Sequence, residues 1–163
     1  MYIVTEEDRV HLKRCVELAA EAVDAGDQPF GSMLVDANGA VLFEDRNRTS
    51  GGDQTRHPEF ALARWAAEHL SPTERAECTV YTSGEHCPMC SAAHAMVGLG
   101  RIVFASSGDQ LRSWQRELGI GGKALVAPLP INAVAPGIPV AGPDPELSQD
   151  VRAIHERLAR GDS

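Results

Sequence analysis

Two short segments of the chain carry residues that could bind a metal ion and move protons. The first, His57-Pro58-Glu59, offers an imidazole and, two residues later, a carboxylate. The second, Cys87-Pro88-Met89-Cys90, offers two thiolates from one tight turn. An imidazole and two thiolates suit a catalytic zinc ion whose fourth coordination position is left to water. We therefore predict Zn²⁺ as the cofactor, with His57, Cys87 and Cys90 as its ligands.

Glu59 is the residue expected to transfer protons. Residues two positions apart on a helix do not face the same way, so its carboxylate would lie beside the metal rather than bind it. From there it could take a proton from water and pass protons to a ring nitrogen and to departing ammonia. Such transfers would serve the hydrolytic deamination of an amidine-like ring carbon, the reaction of the zinc-dependent nucleobase deaminases whose motif spacing these two segments resemble.

The same residues leave two alternatives open. His86 and His94 lie near the two cysteines in sequence, so a closed Cys2His2 shell in a non-catalytic zinc-binding module is conceivable. A Cys-x-x-Cys turn is also typical of thioredoxin-like redox proteins. The open catalytic shell is favoured, because neither alternative gives Glu59 a purpose.

Length and charge narrow the class of protein and of partner. A chain of 163 residues fits a single domain, 1–163, that buries a core without disulfides. Its formal charge of −8, with no basic run, argues against a nucleic-acid partner and favours a small-molecule substrate. The polar N-terminus and the lack of a long apolar run predict a cytoplasmic protein with no membrane partner.

Hydrophobic periodicity and turn signals predict strands that alternate with helices. An α/β fold with a largely parallel second half follows from this order. From about residue 120 onward, clustered prolines indicate a loop-rich strap, which a terminal helix follows. The predicted helices are Val10–Val23, Pro58–Leu70, Pro88–Val97, Leu111–Leu118 and Glu146–Leu158, and the predicted strands are Met33–Val35, Ala40–Phe43, Cys78–Thr82 and Arg101–Ala105.

Four segments in order resemble the cytidine-deaminase superfamily, within it the branch of guanine deaminases and bacterial tRNA adenosine deaminases. They are Pro29-Phe30-Gly31, Asp45-Arg46-Asn47, His57-x-Glu59 and Thr82 through Cys90. The resemblance implies a three-layer α/β/α sandwich around a five-stranded mixed sheet, one catalytic zinc and a homodimer.

The resemblance also implies roles for single residues. His57, Cys87 and Cys90 would be the ligands and Glu59 the acid and base. Asn47 would hydrogen-bond the substrate, because an amide can both donate and accept. A turn residue at the end of a strand is the alternative for Asn47. Phe30 would wall the base pocket or belong to the core.

The sequence departs from the family pattern in ways that bear on the substrate. Pro58 replaces a residue whose amide contacts the substrate in relatives, and proline has no N–H. Gly84 and His86 replace residues that are commonly Cys and Pro. His86 could contact the substrate, orient a neighbouring group or lie on the rim. No Phe, Tyr or Trp follows Trp114, although guanine deaminases usually close the pocket with an aromatic C-terminal segment.

We therefore expect a zinc-dependent deaminase of a free nucleobase or related aminated heterocycle, with guanine, cytosine and triazine-like rings all open. A tRNA adenosine deaminase is the alternative in the same chemical class. The non-catalytic zinc-binding module is the alternative from another class.

Overall fold

The computed structural model describes residues 3–161, so the predicted domain limits 1 and 163 lie outside the described residues. Helices and strands alternate along most of the chain. The helices are α1 Glu6–Asp24, α2 Pro58–His69, α3 Pro72–Glu77, α4 Pro88–Met96, α5 Gly108–Leu118, α6 Ile131–Val134 and α7 Pro145–Ala159, and the strands are β1 Gly31–Val35, β2 Val41–Arg46, β3 Thr79–Gly84, β4 Ile102–Ser106 and β5 Val140–Ala141. Within this range no helix has the length and apolar composition that a bilayer crossing requires.

The five strands form one mixed sheet in the order β2-β1-β3-β4-β5. Strand β1 is antiparallel to both β2 and β3, whereas β3, β4 and β5 run parallel. The β1–β2 hairpin turns at Asp36–Ala40, where the Asp36 carboxylate accepts the amides of Asn38 and Ala40, each at 2.9 Å. The predicted α/β fold with a parallel second half is confirmed.

Helices cover both faces of the sheet, which gives the expected three layers. One core lies between the sheet and α1, α5 and α7, and the other between the sheet and α2, α4 and α6. Alternate residues of each strand enter opposite cores: Met33 and Tyr81 face the first, and Leu34 and Val80 face the second. The register of the strands therefore decides which polar side chains face α2.

The observed elements differ from the predicted ones most clearly at three places. The sequence Ser71-Pro72 does end α2, but it also begins α3, because Ser71 and Glu74 form a reciprocal capping box. The fourth predicted helix starts earlier, at Gly108, where Ser107 and Gln110 form another capping box. The strap is not purely loop: it contains α6 and the edge strand β5. A two-residue strand is too short to show a periodicity.

The predicted metal ligands lie at one end of the strands, where β1 begins and β3 ends. Strand β3 leads through a short loop into α4, and α1 packs closely behind the start of β1 at Gly31. A Cβ atom at Gly31 would lie 2.4 Å from the Cβ of Leu18, so only glycine allows this approach. The tight packing fixes β1 relative to the rest of the site.

At the opposite end of the strands, the buried carboxylate of Asp8 connects α1 to the sheet. Asp8 is 2% exposed, and it forms a reciprocal capping box with Thr5, the N-cap residue of α1. Its carboxylate also forms an ion pair with Arg101 and accepts a hydrogen bond from the Tyr81 hydroxyl at 2.9 Å. Burial alone would raise the pKa of Asp8, but the hydrogen bonds from Arg101, Thr5 and Tyr81 outweigh it and hold the pKa below its usual value. Asp8 therefore contributes stability as a carboxylate.

We expect Asp8→Ala to lower the free energy of unfolding by about 3 kcal/mol, because it leaves Arg101 and Tyr81 without their partner. Urea unfolding at neutral pH measures this, with the exposed Glu7→Ala in the same helical turn as the control. Since the folded pKa is lowered, the stabilising contribution is present above pH 3.8 and is lost as the pH falls through the folded pKa. Equal stability of the two variants at neutral pH would contradict this account.

Candidate metal and catalytic site

The structure brings the three predicted metal ligands together. The Nδ1 atom of His57 lies 3.6 Å from the sulfur of Cys87 and 3.6 Å from the sulfur of Cys90. All three donor atoms lie within 4.8 Å of one another. They come from the starts of two helices, since His57 occupies the N-cap position of α2, Cys87 occupies that of α4, and Cys90 lies in the first turn of α4.

The spacing and chemistry of these donors fit Zn²⁺. Zinc bonds to nitrogen at about 2.0 Å and to sulfur at about 2.3 Å, so a tetrahedral ion places the two donor atoms about 3.6 Å apart. The observed separations of 3.6 Å agree with this value. Among the described residues, no fourth His, Cys, Asp or Glu belongs to the group. The described residues thus supply three donors that fit Zn²⁺, and the predicted open fourth position stays a prediction.

The electrostatics of the pair of thiols also favour a cation. Hydrogen bonds from Cys90 and His57 lower the pKa of Cys87 to about 4. The resulting thiolate, together with burial, raises the pKa of Cys90. One thiolate thus opposes formation of the second, and a divalent cation removes this conflict because coordination deprotonates both thiols. The unpaired amides at the start of α4 stabilise the same negative charge.

Glu59 lies beside the ligand cluster without joining it. It is the second residue of α2 and is 6% exposed. Its Oε2 atom lies 3.7 Å from the Cys90 sulfur, and its Oε1 atom accepts from the hydroxyls of Ser32, at 3.2 Å, and Thr82, at 3.1 Å. Burial raises the pKa of Glu59, although His57 opposes the shift. Glu59 thus lies next to the predicted ligands, and its role in proton transfer stays a prediction.

Asn47 follows β2 and is 3% exposed. Its side-chain oxygen accepts from the amide of Thr49 at 3.0 Å and from the Thr49 hydroxyl at 2.8 Å. The Asp27 carboxylate anchors the same segment through Arg46 at 2.7 Å and the Ser50 amide at 2.9 Å. Because the oxygen of Asn47 is already occupied, only its NH₂ group is left to donate to a ligand.

Phe30 is partly buried and packs between β3 and α7. A Cβ atom at Gly84 would lie 3.3 Å from two carbons of the Phe30 ring, so a larger residue at this departure from the family pattern would require the ring to shift. On its other side Phe30 contacts His155 edge-on, with ring centroids 5.6 Å apart. The last helix therefore supplies an imidazole next to Phe30, a contact that a search for Phe, Tyr and Trp could not find.

Pro58 and His86 occupy different surroundings. Pro58 is the first residue of α2. A backbone N–H at this position would have no partner within the helix, so proline costs the helix no hydrogen bond. His86 is 3% exposed, so it does not lie on a solvent rim, and neither ring nitrogen has a hydrogen-bond partner among residues 3–161. The ring packs edge-on against His94, whose Nε2 donates to the Gly100 carbonyl at 2.7 Å. Neither histidine joins the ligand group, contrary to the closed Cys2His2 alternative.

Glu85 is a residue of the site loop that the sequence analysis did not single out. Its two carboxylate oxygens accept the Gly108 amide at 2.9 Å and the Ile131 amide at 3.0 Å. One side chain thus satisfies the first turns of α5 and α6 and ties the strap to the loop before Cys87. The sequence shows only that an acidic residue precedes the cysteine pair, and this does not reveal that Gly108 and Ile131 are its partners.

Residues 5–106 match the family model for the cytidine and deoxycytidylate deaminase zinc-binding region. The chain belongs to this family of deaminases. The match covers the ligand segments and Glu59, and it ends at the last residue of β4.

The relatives differ in their substrates. A probable cytosine deaminase from Schizosaccharomyces pombe is 34% identical over 66% of this chain and 65% of its own length. The guanine deaminase of Bacillus subtilis is 43% identical over 50% of this chain and 53% of its own length. A tRNA-specific adenosine deaminase of B. subtilis is 27% identical over 61% of this chain. The aligned parts thus span about half to two thirds of the relatives.

The structural similarity covers more of the chain than the sequence similarity does. A solved structure of the guanine deaminase from Nitrosomonas europaea superposes with a TM-score of 0.68 at 20% identity, covering 98% of this chain and 87% of that one. At this identity the likeness concerns the fold alone, and it supports a cytidine deaminase-like arrangement of the sheet and helices.

We expect the purified protein to hold one zinc ion per chain and to lose most of it in the variants His57→Ala and Cys90→Ser. Elemental analysis measures the metal, and Cys15→Ala, which changes a buried thiol in the other core, serves as the control. X-ray absorption is expected to show two sulfur ligands, one histidine nitrogen and one oxygen from water. Zinc retained in both ligand variants, or a fourth protein ligand, would contradict the open site.

Proposed function

We propose that the protein is a zinc-dependent hydrolytic deaminase of a free nucleobase or a related aminated heterocycle, releasing ammonia. The observation that carries this proposal is the position of Glu59, a buried carboxylate 3.7 Å from one sulfur of a three-donor cluster to which it does not belong. A structural zinc site has no use for such an acid, whereas a hydrolytic site needs it.

The chain's own residues can carry out the proton transfers. A zinc ion held by His57, Cys87 and Cys90 would lower the pKa of a bound water molecule to about 7. As the water oxygen bonds to the ring carbon, the Oε2 atom of Glu59 takes one of its protons and delivers it to the ring nitrogen next to that carbon. The same carboxylate then takes the remaining proton of the added hydroxyl group and passes it to the amino group. The C–N bond breaks, which releases ammonia and leaves a carbonyl group on the ring.

A small ring fits this surface better than a tRNA. Three arginines line the cavity beside His57, of which Arg48 pairs with Asp45 at 2.9 Å and Arg56 pairs with Asp53 at 3.5 Å. Arg64 alone among these three has no acidic partner within residues 3–161, and a single free cation with a formal charge of −8 on the whole chain is a weak basis for phosphate contacts. The homodimer implied by the family resemblance stays a prediction.

We expect the protein to release ammonia from at least one member of a panel of aminated purines, pyrimidines and triazines. Glu59→Gln is expected to lower kcat by about 10²-fold or more, because the amide cannot accept the proton from water. Zinc should remain bound, since Glu59 is not a ligand. Ammonia release by each variant, with the metal content measured in parallel, tests this.

Glu68→Gln, near the exposed end of the same helix, is the matched control and should keep the activity of the unaltered protein. Turnover by Glu59→Gln at the unaltered rate would refute the assigned role. Deamination of a tRNA anticodon arm, with no release of ammonia from any free ring, would replace the nucleobase proposal by the tRNA alternative.

Asn47→Asp is expected to raise KM by about tenfold with a smaller change in kcat. The substitution keeps the shape but replaces the one free donor, the NH₂ group, by an acceptor, and a hydrogen bond of this kind contributes about 1 kcal/mol or more. Steady-state kinetics on the best panel substrate measure the effect. An unchanged KM would show that Asn47 is only a turn residue.

A further inference from the structure

Two hydroxyl groups on the sheet face Glu59 from the side opposite the ligand cluster. Ser32 on β1 and Thr82 on β3 are direct cross-strand partners, so their side chains project together from one face of the sheet. Both residues are 0% exposed, and their hydroxyl oxygens lie 2.9 Å apart. The same face carries Leu34 and Val80, which pack against α2. The register of the two strands therefore aims both hydroxyls at the helix that carries Glu59.

We propose that Ser32 and Thr82 are positioning residues that set the rotation of the Glu59 carboxylate and so direct one chosen oxygen to the ligand cluster. This inference rests on the proposed function, since it assigns a task to the groups behind the proton-transfer residue. Both hydroxyls contact the same atom, Oε1, at 3.2 and 3.1 Å. The other atom, Oε2, is left facing Cys90 at 3.7 Å.

Counting protons shows what the second hydroxyl adds. Each hydroxyl has one proton to donate. Thr82 has competing acceptors in the Gly84 carbonyl at 2.9 Å and the Gly31 carbonyl at 3.5 Å, and Ser32 can donate either to Glu59 or to Thr82. The Oε1 atom loses its donor only when Ser32 donates to Thr82 while Thr82 donates to a carbonyl. In every other arrangement, including the one in which both hydroxyls donate to Oε1, the pair keeps a donor on this atom.

The geometric consequence concerns the reaction. A carboxylate free to rotate about its last bond would present either oxygen, in varying positions, to the attacking water. A misplacement of about 1 Å in a reacting group can lower a rate about 10²-fold. Fixing Oε1 against a rigid strand pair removes this loss and leaves substrate binding unchanged. The effect is therefore expected in kcat and not in KM.

Conservative variants separate positioning from structural support. Thr82→Val keeps the shape of the side chain and removes the hydroxyl, whereas Thr82→Ser keeps the hydroxyl. We expect Thr82→Val to lower kcat about tenfold with KM and zinc content unchanged, the double variant Ser32→Ala/Thr82→Val to lower it about 10²-fold, and Thr82→Ser to restore it.

The control is Ser106→Ala on β4. Ser106 is also buried near the same edge of the sheet, and its hydroxyl donates to the Ser83 carbonyl at 2.7 Å instead of to Glu59. It should lose a comparable amount of thermal stability while keeping kcat. A crystal structure of the double variant provides a readout independent of activity and is expected to show the Glu59 carboxylate rotated away from its position in the unaltered protein.

The outcomes are distinguishable. An unaltered kcat and an unaltered Glu59 position in the double variant would overturn the positioning role, and so would a loss of kcat in Ser106→Ala equal to that in Thr82→Val. With Glu59→Gln inactive, either result leaves the proposed function standing. An active Glu59→Gln would remove the proposed function and the positioning role with it.

Discussion

The structure depends on placing three acidic groups close together inside a protein. Two thiols and a carboxylate lie within a few ångströms at one edge of the sheet, with Glu59 and Cys90 almost fully buried. Two like charges about 4 Å apart repel by about 4 kcal/mol at an effective dielectric constant of 20. A single pair of this kind removes a large share of the stability of a small domain. Only a cation, or neutralisation of all but one group, makes the arrangement tolerable.

Much of the surrounding structure can be understood as a response to this constraint. Both ligand segments are helix starts, where unpaired amides already favour negative charge. The prolines at the first positions of α2 and α4 fix these starts without losing a helical hydrogen bond. Behind the carboxylate, Ser32 and Thr82 offer hydroxyl donors at a depth where water cannot reach. The helix starts supply positive potential, the prolines fix their position, and the hydroxyls replace lost hydration.

The sequence predicts the parts of this site that are local. His57 and Glu59 are two residues apart, and Cys87 and Cys90 are three apart, so a short pattern is enough to identify their chemistry. That these two segments share one metal ion also follows from the chemistry of their donors, but other contacts between distant segments have no such signature. The pairing of Ser32 with Thr82 depends on strand register, and Glu85 reaches Ile131, a residue 46 positions later. Nothing in either sequence neighbourhood encodes such a partner, because hydrogen bonds of this kind are decided by tertiary packing.

The fold shows the same difference between features that a local pattern predicts and features that depend on distant contacts. Helices with a wide apolar stripe, such as α1, were located well, and α3 was missed although Ser71, Pro72 and Glu74 carry a capping box. The short strand β5 owes its existence to the free edge of β4 and to no pattern of its own. It lies in the strap that Glu85 attaches to the ligand loop. The predicted ligands and Glu59 thus lie in the part of the chain whose pattern is easiest to read. The later part is joined to it by tertiary contacts that no local pattern shows: the Glu85 carboxylate, His155 beside Phe30, and the packing of α6 and α7 in the two cores.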